Sequence, residues 1–128
     1  RGENVRDWIH VEDHARAIDL ILNSAKIGET YLVGSDYEHA NIDVARKICA
    51  LLEIDKSRIE FVADRPGHDL RYALDSSKIR NELGWKPMHD FDNWLKDTVD
   101  WYKNNEWWWR PLLEEAEIEK GNIASGKL

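Results

Sequence analysis

Three basic side chains gather around one Pro-Gly pair in the segment VADRPGHDLRYALD, which runs from Val62 to Asp75. Proline followed by glycine is typical of a type II β-turn, because proline presets one φ and glycine supplies the positive φ that follows. Arg65 and His68 then hold the first and last positions of the turn, with Cα atoms within about 7 Å of each other. Guanidinium is a planar fork that suits phosphate oxygens, and imidazole adds a further donor. The segment is therefore able to clamp an anion, and a diphosphate fits best.

A plain surface turn explains the same residues. In that interpretation Arg65 and Arg71 pair with nearby carboxylates. The available carboxylates are those of Asp64, Asp69 and Asp75. Asn41 and Arg6 also have plain structural interpretations. Asn41 fits a helix cap, and Arg6 fits one half of an ordinary ion pair. Spacing alone favours the plain turn, so none of these residues identifies a function by itself.

Strands and helices alternate along the chain, which indicates an α/β or α+β domain with short strands and three to four helices. We predict strands over residues 5–9, 30–34, 58–62 and 71–74, and helices over 10–24, 42–53, 77–83 and from 91 onward. Asn41, Asp75 or Ser76, and Asp90 are candidate N-caps, and Gly84 suits a helix end. The first helix has an apolar face formed by Val11, Ala15, Ile18, Ile21 and Leu22.

The composition argues against some classes of function. The 128 residues carry a net charge of -7, and 34% are charged, which argues against a nucleic-acid or membrane-binding protein. Cys49 is the only cysteine, so no internal disulfide is able to form and we expect a reducing compartment, the cytoplasm. The chain opens at Arg1 without Met, from which we expect a piece of a longer protein.

Several common catalytic and cofactor motifs are missing from the sequence. It contains no G-x-G-x-x-G, Walker loop, G-x-S-x-G, His-Glu-x-x-His or Cys-x-x-Cys pattern. His10 and His14 have a spacing that is able to bind zinc, but no third ligand is evident, so we expect two helix-end histidines and no metal. The carboxylates of DWIHVEDH fit ordinary helix-start charge. Cys49 lies on an apolar helix face and fits a core position better than a nucleophile.

Five segments taken in order resemble one known family. They are VRDWIHVEDHARAI, GETYLVG, NIDVARKICALL, ADRPGHDLRYALDSSKIRNELGWKP and TVDWY. The chain resembles, from about Val5 to Tyr102, the C-terminal part of dTDP-glucose 4,6-dehydratases, which are extended short-chain dehydrogenases/reductases. Related epimerases and decarboxylases share the R-D-x-x-x-V-x-D and E-L-G-W patterns, and they share the D-R-P-G-H-D form less well.

The resemblance implies a division of labour. In the family an N-terminal Rossmann domain holds NAD and a catalytic Tyr-x-x-x-Lys pair, and the reaction dehydrates dTDP-glucose. No tyrosine here has lysine at the fourth position after it, so no catalytic or NAD-binding residue is expected in this chain. Residues 1–113 would form the nucleotide-sugar-binding domain, with the first 34 or so against the missing Rossmann domain, and 114–128 a polar tail. By motif, Arg6, Asn41, Arg65 and His68 would contact the nucleotide diphosphate.

Two alternatives stay open. The chain also fits the same part of another nucleotide-sugar epimerase or decarboxylase, because the residues that recognise the base lie mostly in the other half of the family's fold. It also fits a non-catalytic domain that binds a nucleotide sugar or a protein. The resemblance further implies a homodimeric whole protein. Trp107, Trp108 and Trp109 fit a docking or core cluster better than a platform for a sugar.

Overall fold

The structure, a computed structural model, describes residues 2–113. Its elements are β1 (Val5–Asp7), α1 (Val11–Ser24), β2 (Glu38–Ala40), α2 (Asn41–Leu51), a 3-10 turn (Lys56–Arg58), β3 (Arg71–Tyr72), α3 (Ser77–Leu83) and α4 (Phe91–Asn104). Residues 106–113 are helical as well. The predicted α/β class is confirmed. Within the described residues, no helix is long and apolar enough to cross a membrane.

The sheet has three strands in the order β2-β1-β3. Strand β1 is antiparallel to β2, with Val5 opposite Ala40, and parallel to β3, with Val5 opposite Arg71. The N–H of Val5 also donates to the carbonyl of Leu70, at 2.8 Å. The central position of β1 therefore brings Arg6 beside the segment that leads from the Pro-Gly turn into β3.

Two of the predicted strands are wrong. Residues 30–34 and 58–62 pair with no strand in the part of the chain that the structure describes, whereas β2 was not predicted. A strand needs a partner as well as a β-rich sequence, and β2 and β3 already occupy both edges of β1. Residues 30–34 instead pack Tyr31 and Val33 against a buried cluster, and the carbonyl of Gly34 accepts from Ser76 Oγ at 3.0 Å.

The helix starts agree with prediction except at Asn41. Helix α2 begins at Asn41 itself, Ala40 is the N-cap, and no side chain caps it. Ala40 has no side-chain acceptor. The N–H of Asn41 donates to the carbonyl of Asn4 at 3.0 Å, and that of Ile42 donates to the carbonyl of Gly2 at 2.8 Å. The predicted capping role of Asn41 is therefore wrong. Asp75 Oδ1 accepts from the N–H of Ser77 at 2.9 Å. Asp90 caps α4 as predicted.

Two buried clusters hold residues 2–96 together. The first is formed by Val44, Phe91, Trp94 and Leu95, and the second by Ala17, Ile79 and Trp85. Helix α1 contributes to the second cluster through Ala17, Leu20 and Ile21. Most of its predicted apolar face is exposed instead, with Val11 at 75% and Leu22 at 80%. Helix α1 therefore carries an apolar stripe without a partner among the described residues.

The chain divides into two compact units, Arg1–Lys96 and Asp97–Leu128, with the division inside α4. In the described part of the second unit, the indoles of Trp101 and Trp108 lie 5.4 Å apart in an edge-on contact. Trp109 Nε1 donates to the carbonyl of Tyr102 at 2.8 Å. Trp107 is 74% exposed. The predicted polar tail, 114–128, lies outside the described residues.

A fully buried carboxylate joins α1 to the segment before α4. Asp13 Oδ1 accepts from Arg16 Nη1 at 2.8 Å and from the N–H of Met88 at 3.0 Å. Its Oδ2 accepts from the N–H of His89 at 3.1 Å and from Nδ1 of the same residue at 3.0 Å. Burial alone raises the pKa of Asp13, but the bonds from Met88 and His89 outweigh it and hold that pKa below its ordinary value of 3.8. The carboxylate is therefore ionised at neutral pH.

Replacement of this carboxylate tests its importance. Asp13→Ala should lower the free energy of unfolding by about 3–5 kcal/mol, because the donors of Met88 and His89 would lose their charged acceptor. Asp19→Ala, an exposed change on the same helix, should change it by only about 0.5 kcal/mol. Urea unfolding followed by tryptophan fluorescence measures both. Equal midpoints for the two variants would show that the buried carboxylate is dispensable.

Candidate functional site

A cleft of about 240 Å³ opens between the start of the chain, the N-terminal half of α2 and the segment that leads to the Pro-Gly turn. Its polar lining side chains are Asn4, Asn41, Glu60, Asp64 and His68. Its apolar lining residues include Ile42, Ala45 and Ile59. The cleft therefore combines apolar groups with several hydrogen-bonding groups, as small-molecule sites do.

The Pro-Gly turn forms as the sequence predicts. Gly67 has φ 70°, and the N–H of His68 donates to the carbonyl of Arg65 at 3.3 Å. Positive φ at this position suits glycine and strains other residues. The turn places the His68 imidazole on the cleft, half-buried, while the Arg65 side chain is exposed and does not line the cleft.

His68 is held from both sides of its ring. Arg6 Nη2 lies 2.9 Å from Nε2, and Asp64 Oδ1 lies 2.6 Å from Nδ1. A guanidinium has only donors, so Nε2 must be the acceptor and the proton must be on Nδ1, from which it is donated to Asp64. This bond from His68 lowers the pKa of Asp64. The structure therefore holds the imidazole between an ionised carboxylate and a guanidinium.

Arg6 forms no ion pair with a carboxylate in the part of the chain that the structure describes. Its Nη1 donates to the carbonyl of Val5 at 2.6 Å, and its Nη2 donates to the carbonyl of Asp69 at 3.0 Å as well as to His68. All three acceptors are neutral. Among residues 2–113 no acidic side chain pairs with Arg6, so the ordinary ion pair considered for it does not form within this part of the chain. A half-buried guanidinium with only neutral partners is ready to receive an anion.

The other two arginines near the turn differ from each other. Arg71 forms a two-point ion pair with Glu38, with both N···O distances 2.6 Å, which raises the pKa of Arg71. Arg71 therefore links β3 to β2 through Glu38, a partner that sequence spacing did not suggest. The Arg65 guanidinium has no partner within residues 2–113, and its backbone N–H donates to Asp64 Oδ1 at 2.9 Å.

The structure thus brings three of the four predicted residues together. Asn41 and His68 line the cleft, and Arg6 reaches it through His68, whereas Arg65 stays outside the lining. Sequence reasoning missed Asn4, whose Nδ2 donates to the carbonyl of Asp69 at 3.1 Å. It also treated Asp64 only as a partner for arginine. The i, i+4 spacing of Asp64 and His68 was the available signal for their contact.

Comparison with known proteins came from sequence and from structure. The family profile described as GDP-mannose 4,6 dehydratase matches residues 1–98. The dTDP-glucose 4,6-dehydratase of Mycolicibacterium smegmatis is 52% identical over 119 residues, which cover 92% of this chain and 36% of that protein.

Two solved structures of dTDP-glucose 4,6-dehydratases have the same fold over this region. The Bacillus anthracis enzyme, in complex with NAD, has a TM-score of 0.81 at 47% identity and covers 87% of this chain and 35% of its own. DesIV of Streptomyces venezuelae, with NAD and TYD bound, has a TM-score of 0.83 at 45% identity, covering 87% and 34%. The chain spans little more than a third of these relatives and matches their C-terminal part.

The protonation of His68 gives a direct check of this geometry. At pH 8 we expect His68 to carry its proton on Nδ1, because Arg6 occupies Nε2. Long-range ¹H–¹⁵N correlation spectra distinguish the two tautomers. His14, an exposed histidine of α1, serves as the internal reference. A spectrum with the His68 proton on Nε2 would contradict the contact with Arg6.

Proposed function

This chain belongs to the GDP-mannose 4,6 dehydratase family, and from that premise we propose that it is the nucleotide-sugar-binding part of a dTDP-glucose 4,6-dehydratase. The whole protein would convert dTDP-glucose to dTDP-4-keto-6-deoxyglucose. That reaction oxidises the sugar at C4, removes water across C5 and C6, and returns the hydride to C6. The relatives that support this assignment are about 45–52% identical over nearly all of the chain.

The observation that carries the proposal is the Arg6 guanidinium beside the cleft, which pairs with no carboxylate among residues 2–113. Its neutral acceptors are weaker partners than phosphate oxygens, because a bond with charge on both sides is shorter and stronger. A diphosphate at this edge of the cleft would replace a carbonyl and an imidazole, as acceptors for Arg6, with charged phosphate oxygens. Asn41 lines the same cleft and supplies an amide donor.

His68 would change its role when the anion arrives. In the structure its Nε2 accepts from Arg6. Phosphate oxygens would replace Nε2 as the acceptor for Arg6, and the imidazole would remain beside the anion. Asp64 keeps hold of Nδ1 throughout, at 2.6 Å, and so fixes the ring while its other side changes partner.

Arg65 completes the proposed set from the far side of the turn. Its exposed guanidinium has no partner within residues 2–113 and sits three residues before His68. A long side chain with no partner to lose is able to fold over an anion held at the cleft mouth. We retain Arg65 on this ground as a contact formed on binding.

The redox and acid–base steps would belong to a Rossmann domain elsewhere in the whole protein. This sequence has neither a glycine-rich dinucleotide motif nor a Tyr-x-x-x-Lys pair. The relatives from Bacillus anthracis and Streptomyces venezuelae contain NAD. The exposed stripe of Val11, Ile18 and Leu22 on α1 would pack against that domain, since an apolar stripe of this kind marks a contact surface.

Two further expectations belong to the same proposal. A homodimeric whole protein follows from the resemblance. A cytoplasmic location is in keeping with the single cysteine, Cys49, which is a buried free thiol.

Nucleotide binding tests the proposal in a chimera in which this chain replaces the matching segment of the Mycolicibacterium smegmatis enzyme. Arg6→Ala should weaken dTDP binding by about 1.5–3 kcal/mol, the range for a hydrogen bond to a charged group. Arg65→Ala should weaken it by a similar amount, and His68→Ala by less. The losses should be alike for dTDP and dTDP-glucose, because the diphosphate is common to both. Titration calorimetry gives the affinities.

Arg46→Ala is the matched control. It removes the same charge from α2, where Arg46 faces Asp43 at 3.4 Å on an exposed surface, and should leave the affinity unchanged. If Arg6→Ala binds dTDP as tightly as Arg46→Ala does, the cleft is not the diphosphate site. If Arg65→Ala alone has no effect, the clamp consists of Arg6, Asn41 and His68.

A further inference from the structure

Two histidines and a glutamate meet at the N-terminal end of α1, outside the cleft. His10, Glu12 and His89 each offer one metal-ligating atom, and these atoms lie within 4.8 Å of one another. The His10 and His89 rings are 4.1 Å apart between centroids and are tilted by 36°. The cluster joins the loop between β1 and α1 to the segment before α4.

The buried Asp13 carboxylate orients His89. Nδ1 of His89 lies 3.0 Å from Asp13 Oδ2, which also accepts the backbone N–H of His89. An ionised carboxylate requires a proton on Nδ1, and this leaves Nε2 as the free position of the ring. A carboxylate behind one imidazole nitrogen is the arrangement that fixes the tautomer of metal-binding histidines and raises their basicity.

The free nitrogen of His89 faces a second carboxylate. Nε2 lies 3.3 Å from Glu12 Oε2. Two electron-rich atoms at this separation suit a cation held between them. The 3.3 Å separation matches the spacing of about 3.4 Å between two ligands that each lie about 2.05 Å from tetrahedral zinc.

His10 supplies a third ligand after a small rotation. Its Nδ1 accepts from the N–H of Glu12 at 3.3 Å, a long bond for a helix cap. The half-buried ring already lies against His89. The three ligating atoms lie within 4.8 Å of one another, and ligands of tetrahedral zinc lie about 3.4 Å apart. A shift of up to about 1.4 Å would therefore complete the set, with loss of that weak cap.

We propose that His10, Glu12 and His89 form a binding site for a divalent transition metal, with zinc as the best match. Two imidazoles and one carboxylate suit zinc and its neighbours better than magnesium or calcium, which prefer oxygen ligands. Three protein ligands leave a fourth position for water. The metal fastens α1 to the segment before α4, the same junction that Asp13 holds.

Metal binding by the untagged full chain tests this proposal. Titration calorimetry with ZnCl₂ should give one site per chain, and Co²⁺ should give visible absorption bands of a four-coordinate nitrogen–oxygen site. His10→Gln and Glu12→Gln, which leave the Asp13–His89 contacts in place, should each weaken Zn²⁺ binding at least tenfold. His89→Gln should weaken it further.

His14→Gln is the matched control, since His14 is exposed on the same helix four residues after His10. This variant should bind Zn²⁺ as the parent does. Zinc should also raise the melting temperature of the parent and of His14→Gln, and leave that of His10→Gln unchanged. Absence of saturable Zn²⁺ binding, or equal affinity in the parent, His10→Gln and Glu12→Gln, would overturn the proposal.

Discussion

The carboxylate of Asp13 is the constraint on which the rest of the structure depends. It is fully buried and accepts four hydrogen bonds, three of them from Met88 and His89, some 75 residues along the chain. Such a group is tolerated in the interior only when its partners satisfy it completely. Its position therefore fixes how α1 meets the segment before α4.

The same constraint reaches the cleft through a short stretch of chain. Only residues 8–10 separate β1 from α1, so the anchoring of α1 by Asp13 also sets the position of β1. Strand β1 is the centre of the sheet and carries Arg6. The neighbouring β3 follows directly on the Pro-Gly turn with His68. The contact between Arg6 and His68 thus rests on a packed framework, although the turn itself is exposed.

Local sequence signals correctly predicted the turns and helix ends that depend only on neighbouring residues. The Pro-Gly turn, the glycine that ends α3 and the Asp90 cap depend on residues within one turn of each other, and all three formed as expected. The predictions that failed required a distant partner. Residues 30–34 have β-rich composition but no strand to pair with in residues 2–113. Asn41 does not cap α2 because the helix begins at Asn41 itself, where the carbonyls of Asn4 and Gly2 accept the N–H groups of Asn41 and Ile42.

The site was predictable in its residue types and less so in its contacts. Arg6, Asn41, Arg65 and His68 were selected by motif. Asn41 and His68 line one cleft, Arg6 contacts His68, and Arg65 lies outside the lining. Two contacts depend on tertiary packing, which sequence spacing does not predict. They are the pair of Arg71 with Glu38 and the position of His89, rather than His14, beside His10. In the sequence, Asp13 resembled an ordinary acidic residue at a helix start, because the sequence pattern does not show that its side chain is buried.

We propose that this chain holds the nucleotide sugar of a whole enzyme, in which a separate domain would hold NAD. Turnover by the chimera with the Mycolicibacterium smegmatis enzyme tests that division most directly. With NAD and dTDP-glucose, the chimera should form the 4-keto-6-deoxy product, detected by its absorbance in alkali. A folded chimera that binds NAD but does not turn over dTDP-glucose, while the parent enzyme does so under the same conditions, would contradict it.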